Sequence, residues 1–370
     1  MKIVVVSPKN KTLFNFRGDL IKEMIKEGHE VLAIGPNQDY IEDVLNLGVK
    51  FQEIPFSKDN TSVVNDLKYF FNLKKILKKE KPDVVFSYNI KPVIYGSLAA
   101  YFSGVNKIYA MIAGAGRVYG ENSFKIKVIR IITGILYKLA FKCCDKVIFQ
   151  NKDDLKEFVV REYLPLNKTN HVGGSGVNMK KFKRINLPKE PIFIMISRII
   201  KEKGVLEYLE AAKEVNKIHP EARFILLGGY DKSLGAINSQ ELSSYIENDY
   251  VKYLGEVKSV ISILEKARIF VLPTYYREGL PRTILEAMSM GKPIITTNWN
   301  GCRDAVKNGV NGLLVEPKNI NDLVKKMNYM IENPKEVEKM SENSYSICKN
   351  KYDVKIINDI MINIMGLRSQ

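Results

Sequence analysis

Apolar β-branched runs and amphipathic stretches alternate along this chain from its first residues. Residues 3–7 read as a strand, 19–27 as a helix closed by Gly28, and 30–34 as a second strand. A short helix near 40–47 and a strand over 50–54 follow. Residues 63–80 have the period of a long amphipathic helix, Pro82 introduces a strand over 83–87, and strands near 107–111 and 146–150 complete the first half. The pattern then restarts with strand 191–197, helix 204–219, strand 222–228 and a short strand 251–255. Apolar strands 269–273 and 292–297 flank a helix over 282–290, and 312–315 is a late strand. Such alternation predicts parallel strands joined by crossover helices. Two series predict an α/β chain of two Rossmann-like, doubly wound domains. Ligands in such sheets bind beyond the carboxyl ends of the strands, so the active site is expected in a central cleft between the domains. The polar stretch 178–190, with Lys180, Lys181, Lys183 and Pro188, is the expected linker.

A chain of 370 residues is too long for one core. The expected domains are 1–177 and 178–352. Hydrophobic residues at 45% and charged residues at 26% suit soluble globular domains that need no staples. Cys143, Cys144, Cys302 and Cys348 have no Cys-x-x-Cys spacing and read as reduced cytoplasmic thiols. His29, His171 and His219 are far apart, which argues against zinc. The first apolar run is too short for a signal peptide, and no apolar stretch is long enough to span a bilayer. The net charge of +16 suits a polyanionic partner, whether nucleic acid, an anionic membrane or a diphosphate. An A/T-rich genome that favours lysine would produce the same excess.

Two motifs carry candidate chemistry. Ser197, Arg198, Lys203 and Gly204 follow a strand and open a helix, the position where a diphosphate binds. Arg supplies a bidentate fork and Lys a mobile point charge; an ordinary basic surface loop is the alternative. In the second motif Glu278, Gly279, Leu280 and Pro281 lead into a helix that carries Glu286. Free N–H groups at its start would cradle phosphate. Glu286 suits recognition of a ribose diol, or it is an exposed helical carboxylate.

The Ser-Arg-x4-Lys-Gly and Glu-x7-Glu pair resembles the donor-site signature of family 4 of the glycosyltransferases, retaining enzymes of the two-Rossmann-domain GT-B type. Leu226-Leu227-Gly228-Gly229, Tyr253-Leu254-Gly255, the 311–315 segment and the turn Gly173 to Asn178 match the family in order. The resemblance implies that Arg198 and Lys203 bind the donor diphosphate, Glu278 the donor sugar and Glu286 the ribose. Backbone near Gly279 and Leu280 would assist. Gly174, Ser197, Gly229, Tyr230 and Val257 would complete the donor site around the base. It further implies that a terminal helix, 353–370, crosses back to the first domain. No Asp-x-Asp pair is present to hold a metal, so Arg198 and Lys203 are expected to replace it and no cofactor is expected beside the UDP-sugar.

The acceptor half departs from the family at the first strand, where Ser7-Pro8-Lys9-Asn10 stands in place of a glycine pair. Arg17 nearby is either a phosphate or acceptor contact or a surface cation. Gly114, Gly116 and Arg117 belong to a loop similar to one in transferases that extend polyprenyl-diphosphate-linked sugars. Asn89 and Lys91 are further candidate acceptor contacts. Residues 124–142 mix five basic residues with Ile, Leu, Phe and Tyr. They read as a segment that docks on anionic lipid, or as a crossover helix with a solvated basic face. The expectation is a peripheral enzyme of the inner membrane face that adds an α-linked sugar to an undecaprenyl-diphosphate-linked HexNAc. UDP-GalNAc is the first donor expectation, then UDP-GlcNAc and UDP-Gal. A UDP-sugar 2-epimerase is disfavoured by the scarcity of histidine. A nucleic-acid-binding protein is disfavoured because the basic residues are spread over both halves without a recognised motif.

Overall fold

The computed structural model describes residues 1–56, 62–120, 123–231 and 235–368. The chain divides into two compact units, 1–175 with 354–370 and 176–353. The last two residues of the terminal segment lie outside the described ones.

The first unit holds a seven-stranded parallel sheet. Its strands are β1 (Lys2–Val6), β2 (Glu30–Gly35), β3 (Lys50–Glu53), β4 (Val84–Tyr88), β5 (Lys107–Ile112), β6 (Lys146–Phe149) and β7 (Thr169–His171). The order is β3-β2-β1-β4-β5-β6-β7. Alternate residues of β1 serve different cores: Val4 and Val6 join one cluster, Ile3 and Val5 the other. This is the period of two expected of a strand covered on both faces. The helix Val354–Met365 packs Ile357, Met361, Ile362 and Met365 into the same cluster as Ile3 and Val5. Tyr109 hydroxyl donates to Met365 O at 3.0 Å, and His29 Nε2 lies 2.7 Å from Leu367 O. The end of the chain therefore completes the first unit, and His29 is a structural anchor.

The second unit holds a six-stranded parallel sheet of β8 (Ile192–Ile196), β9 (Arg223–Leu227), β10 (Lys252–Tyr253), β11 (Ile269–Leu272), β12 (Ile294–Thr297) and β13 (Gly312–Val315), in the order β10-β9-β8-β11-β12-β13. Central strands β11 and β12 are buried throughout, while edge strand β10 is partly exposed. The polar stretch 178–190 is not a linker. Phe182 is buried in this unit's core, and its carbonyl accepts the Ser289 hydroxyl at 2.5 Å. One anchored aromatic residue fixes a segment whose average polarity suggests a free connection. The chain passes between units at the glycine-rich turn just before it.

Candidate active site

Ser197 leaves the end of β8, and its N–H still donates to Leu227 O at 3.0 Å. A single 3-10 turn, Lys201–Lys203, leads to Gly204, which starts the next helix with a φ of 76°. A Cβ there would overlap Pro273 O, so only glycine lets the turn lie against the end of β11. One carbonyl ties the turn to the following loop. Glu202 O accepts from Tyr275 N–H and Tyr276 N–H at 2.9 Å and from the Thr274 hydroxyl at 3.0 Å. The two motifs found in the sequence thus form one assembly.

Two cations stand on it. Lys203 pairs with Glu278, with side chains 13% and 16% exposed. Arg198 Nη1 donates to Asp231 Oδ2 at 2.6 Å in a more open pair, 44% and 22% exposed. The Tyr276 ring lies beside both, its centroid 5.7 Å from the Arg198 guanidinium and 5.6 Å from the Lys203 ammonium. Burial pushes the Tyr276 phenol up, so it remains a neutral hydroxyl near pH 7. Gly279 and Leu280 are buried just before the helix Arg282–Ser289. Glu286 sits on that helix and accepts from Arg282 Nε at 3.1 Å. Burial raises its carboxyl above the usual range while Arg282 opposes the rise. The exposed-carboxylate alternative for Glu286 therefore fails.

A second group surrounds the end of β9. The Tyr230 and Tyr253 rings meet edge-on at 5.7 Å, and Tyr253 hydroxyl donates to Gly228 O at 2.7 Å. Gly229 faces the Glu256 carboxylate, and Val257 packs half-buried against the core. Gly174, with φ 71°, belongs to the first unit. Two positive side chains, a tight turn and a helix start at the carboxyl edge of one sheet are suited to a diphosphate. Among the described residues no group of three or more His, Cys, Asp or Glu is placed to hold a metal ion. Asp231, Tyr276 and Glu202 carry no local sequence signal, because each acts through partners distant in the chain.

In the first unit Arg17 is 4% exposed, which removes the surface-cation alternative. Its guanidinium lies 5.0 Å from the Tyr88 ring centroid, and Nη2 donates to Met111 Sδ at 2.9 Å. Beneath it the Tyr88, Ser7 and Thr12 hydroxyls are linked at 2.6 to 3.0 Å. Asn89 has a left-handed φ of 67° and donates its N–H to Met111 O. Lys91 pairs with Asp66 at 2.7 Å, and Asp66 also accepts the Tyr95 hydroxyl at 2.9 Å. A π-helical turn, Pro92–Gly96, follows; such turns recur at functional sites. Gly114 and Gly116 have φ of 111° and 68°. Asp154, fully buried and unanticipated from the sequence, holds this loop: Ala115 N–H donates to its Oδ2 at 2.8 Å and Asn151 Nδ2 at 2.9 Å. Half-buried Arg117 begins the short helix Arg117–Gly120 just after it.

The helix Phe124–Cys143 has two faces. Tyr137, Ala140 and Phe141 are buried, whereas Phe124, Val128, Ile131, Ile132, Ile135 and Leu139 are 42% to 83% exposed. It contains no acidic residue and carries Lys125, Lys127, Arg130, Lys138 and Lys142. The helix Val63–Glu80 likewise exposes Val63, Val64, Leu67 and Phe71. Among the described residues no helix is long and apolar enough to cross a membrane.

Comparison with known proteins agrees with this geometry. Residues 178–347 match the family model described as glycosyl transferases group 1, and residues 2–151 match glycosyl transferase 4-like. The chain is 32% identical over 349 residues to the N,N'-diacetylbacillosaminyl-diphospho-undecaprenol alpha-1,3-N-acetylgalactosaminyltransferase of Campylobacter jejuni, covering 90% of each chain. It is 30% identical to the UDP-Gal:alpha-D-GlcNAc-diphosphoundecaprenol alpha-1,3-galactosyltransferase of Escherichia coli, covering 86% of this chain and 81% of that one. Among solved structures, sucrose-phosphate synthase from Thermosynechococcus elongatus has the same fold, with a TM-score of 0.82, 16% identity and 98% of each chain covered. With both units matched by family models and a relative this similar along its length, the chain belongs to the two-domain, GT-B glycosyltransferases of the group 1 and 4-like type.

Proposed function

We propose that this glycosyltransferase moves GalNAc from UDP-GalNAc, with retention, onto an undecaprenyl-diphosphate-linked HexNAc during synthesis of a bacterial surface glycan. The observation that carries the proposal is the pair Arg198 and Lys203, joined through Glu202 O and Tyr276 at the end of β8. The names of the two relatives supply the donor and acceptor classes. The Escherichia coli relative's name favours UDP-Gal as a second donor.

In this reading Arg198 and Lys203 hold the diphosphate and take up the charge that grows as the glycosidic C–O bond breaks. Preorganised cations of this kind are each worth about 2.7–4 kcal/mol in the transition state. Glu278 accepts hydrogen bonds from donor-sugar hydroxyls, and Glu286 holds the ribose. The leaving phosphate takes the acceptor hydroxyl's proton on the same face, which keeps the configuration. The two cations supply the positive charge that a divalent ion supplies elsewhere, so turnover persists in EDTA. In the first unit Arg17, Asn89 and the Gly114–Gly116–Arg117 loop contact the acceptor, with Lys91 released from Asp66 when it takes part.

The enzyme works at the inner face of the cytoplasmic membrane. The exposed apolar row on Phe124–Cys143 and its purely basic charge support this, since such faces bind anionic interfaces. The test is a donor panel of UDP-GalNAc, UDP-GlcNAc, UDP-Gal and GDP-mannose, with and without EDTA. UDP-GalNAc turned over fastest in EDTA is the expected result. A GDP-sugar as best donor, or full loss in EDTA, contradicts it.

A further inference from the structure

Arg198 is not idle in this structure: it is already engaged by a carboxylate. We propose that Asp231 is a positioning residue that holds the Arg198 guanidinium and surrenders it to the nucleotide diphosphate, thereby setting how tightly nucleotide is held. This rests on the nucleotide-sugar reading above.

The placement of Asp231 is a property of the backbone. It directly follows Tyr230, which forms a parallel bridge with Ile199, and Ala236 beyond it forms an antiparallel bridge with Ile200. Lys201 N–H donates to Gly235 O at 2.9 Å. The segment carrying Asp231 is therefore stitched on both sides to the segment carrying Arg198. The result is a charge-assisted bond of 2.6 Å between Nη1 and Oδ2.

The two ion pairs of the site differ in a way that matters. Lys203 and Glu278 are both largely enclosed, at 13% and 16% exposure. Arg198 is 44% exposed and Asp231 22%, so water reaches their pair. Screened pairs contribute little, which makes this the one that a stronger anion displaces. A phosphate, though tetrahedral, offers the guanidinium two acceptor oxygens as a carboxylate does, with more charge. The two anions compete for one fork. Binding the diphosphate therefore means giving up the Arg198–Asp231 bond. That cost falls on bound donor and bound nucleotide product alike, which weakens ground-state binding and speeds product departure.

The test is calorimetric titration of UDP into wild type, Asp231→Asn, Arg198→Ala and the double variant. Asparagine keeps the shape and one acceptor oxygen, so the fold is retained; Asp231→Ala provides a second measure. Asp231→Asn is expected to bind UDP about 3–5-fold tighter, the scale for losing a screened competing pair, with a matching fall in donor KM and stronger inhibition by UDP. In the Arg198→Ala background the same change has no effect, because Asp231 acts through Arg198. Unchanged or weaker UDP binding by Asp231→Asn, alongside loss of binding in Arg198→Ala, overturns the role of Asp231 alone. Tightening that persists without Arg198 also overturns it. If Arg198→Ala binds UDP as wild type does, the diphosphate assignment itself falls, and this inference with it.

Discussion

Lys203 gives the sharpest mutational test, because its two roles separate. Its ammonium pairs with Glu278, and both side chains are about one-seventh exposed. Breaking a fully buried pair costs about 3–5 kcal/mol and an exposed one about 0–1 kcal/mol. For this pair Lys203→Met should therefore destabilise the second unit by about 2–3 kcal/mol. In a unit of this size that is a Tm lower by roughly 5–10 °C. Adding Glu278→Gln removes the stranded carboxylate and should restore most of that loss. Binding behaves differently. UDP carries the diphosphate but not the sugar, so its affinity reports Lys203 without Glu278. Lys203→Met should weaken UDP and lower kcat by about 10²–10³-fold, the scale for losing one electrostatic donor. The double variant should regain stability without regaining UDP affinity. Thermal unfolding and UDP titration on the same samples give both numbers. A double variant that recovers UDP affinity would mean that Lys203 serves only to neutralise Glu278, and the diphosphate role would be refuted.

Other outcomes follow from separate parts of the molecule. Lys292 is fully buried, with Nζ 2.5 Å from Ala267 O, and burial pushes its pKa down from 10.5 to about 8. The unfolded chain then binds more protons between those values, so stability rises with pH across that window, by up to about 3 kcal/mol. Urea unfolding at pH 7.5 and 9.5 should show the rise in wild type and its loss in Lys292→Met. Asp154→Ala frees the loop held through Ala115; acceptor KM should rise about 10-fold while donor KM changes less than 2-fold in steady-state kinetics. Ile131→Glu with Ile135→Glu places two charges on the exposed apolar row. Flotation with anionic vesicles should be lost while turnover of a water-soluble acceptor persists; undiminished flotation counts against that docking face.

Much of the architecture was legible because it is repetitive. Strands such as 312–315 and the helix 63–80 carry periods strong enough to place their ends to the residue. The two loop motifs are visible because local order, spacing and chemistry coincide, whereas the terminal helix that crosses back is what the family resemblance implies. What escaped is non-local. The three-residue β7 is defined by its pairing with β6, and the helices Lys152–Val160 and Ser239–Glu247 lie in mixed polar stretches. Phe182 turned an apparent linker into core through one buried ring. Arg17 reads equally as a phosphate or acceptor contact or as a surface cation, until Tyr88 and Met111, brought beside it by the parallel sheet, enclose it. Asp231 and Tyr276 are ordinary loop residues in sequence, and only the stitching of three loops at the ends of β8, β9 and β11 gives them meaning.

Transfer of a sugar to a lipid-diphosphate-linked acceptor can be read from product mass. Purified protein with UDP-GalNAc would be offered the same HexNAc either on a polyprenyl diphosphate or as a simple soluble glycoside. One added HexNAc on the lipid-linked acceptor, far faster than on the glycoside, is the predicted result. No addition to the lipid-linked acceptor from any UDP-sugar, or equal rates on both acceptors, would contradict it.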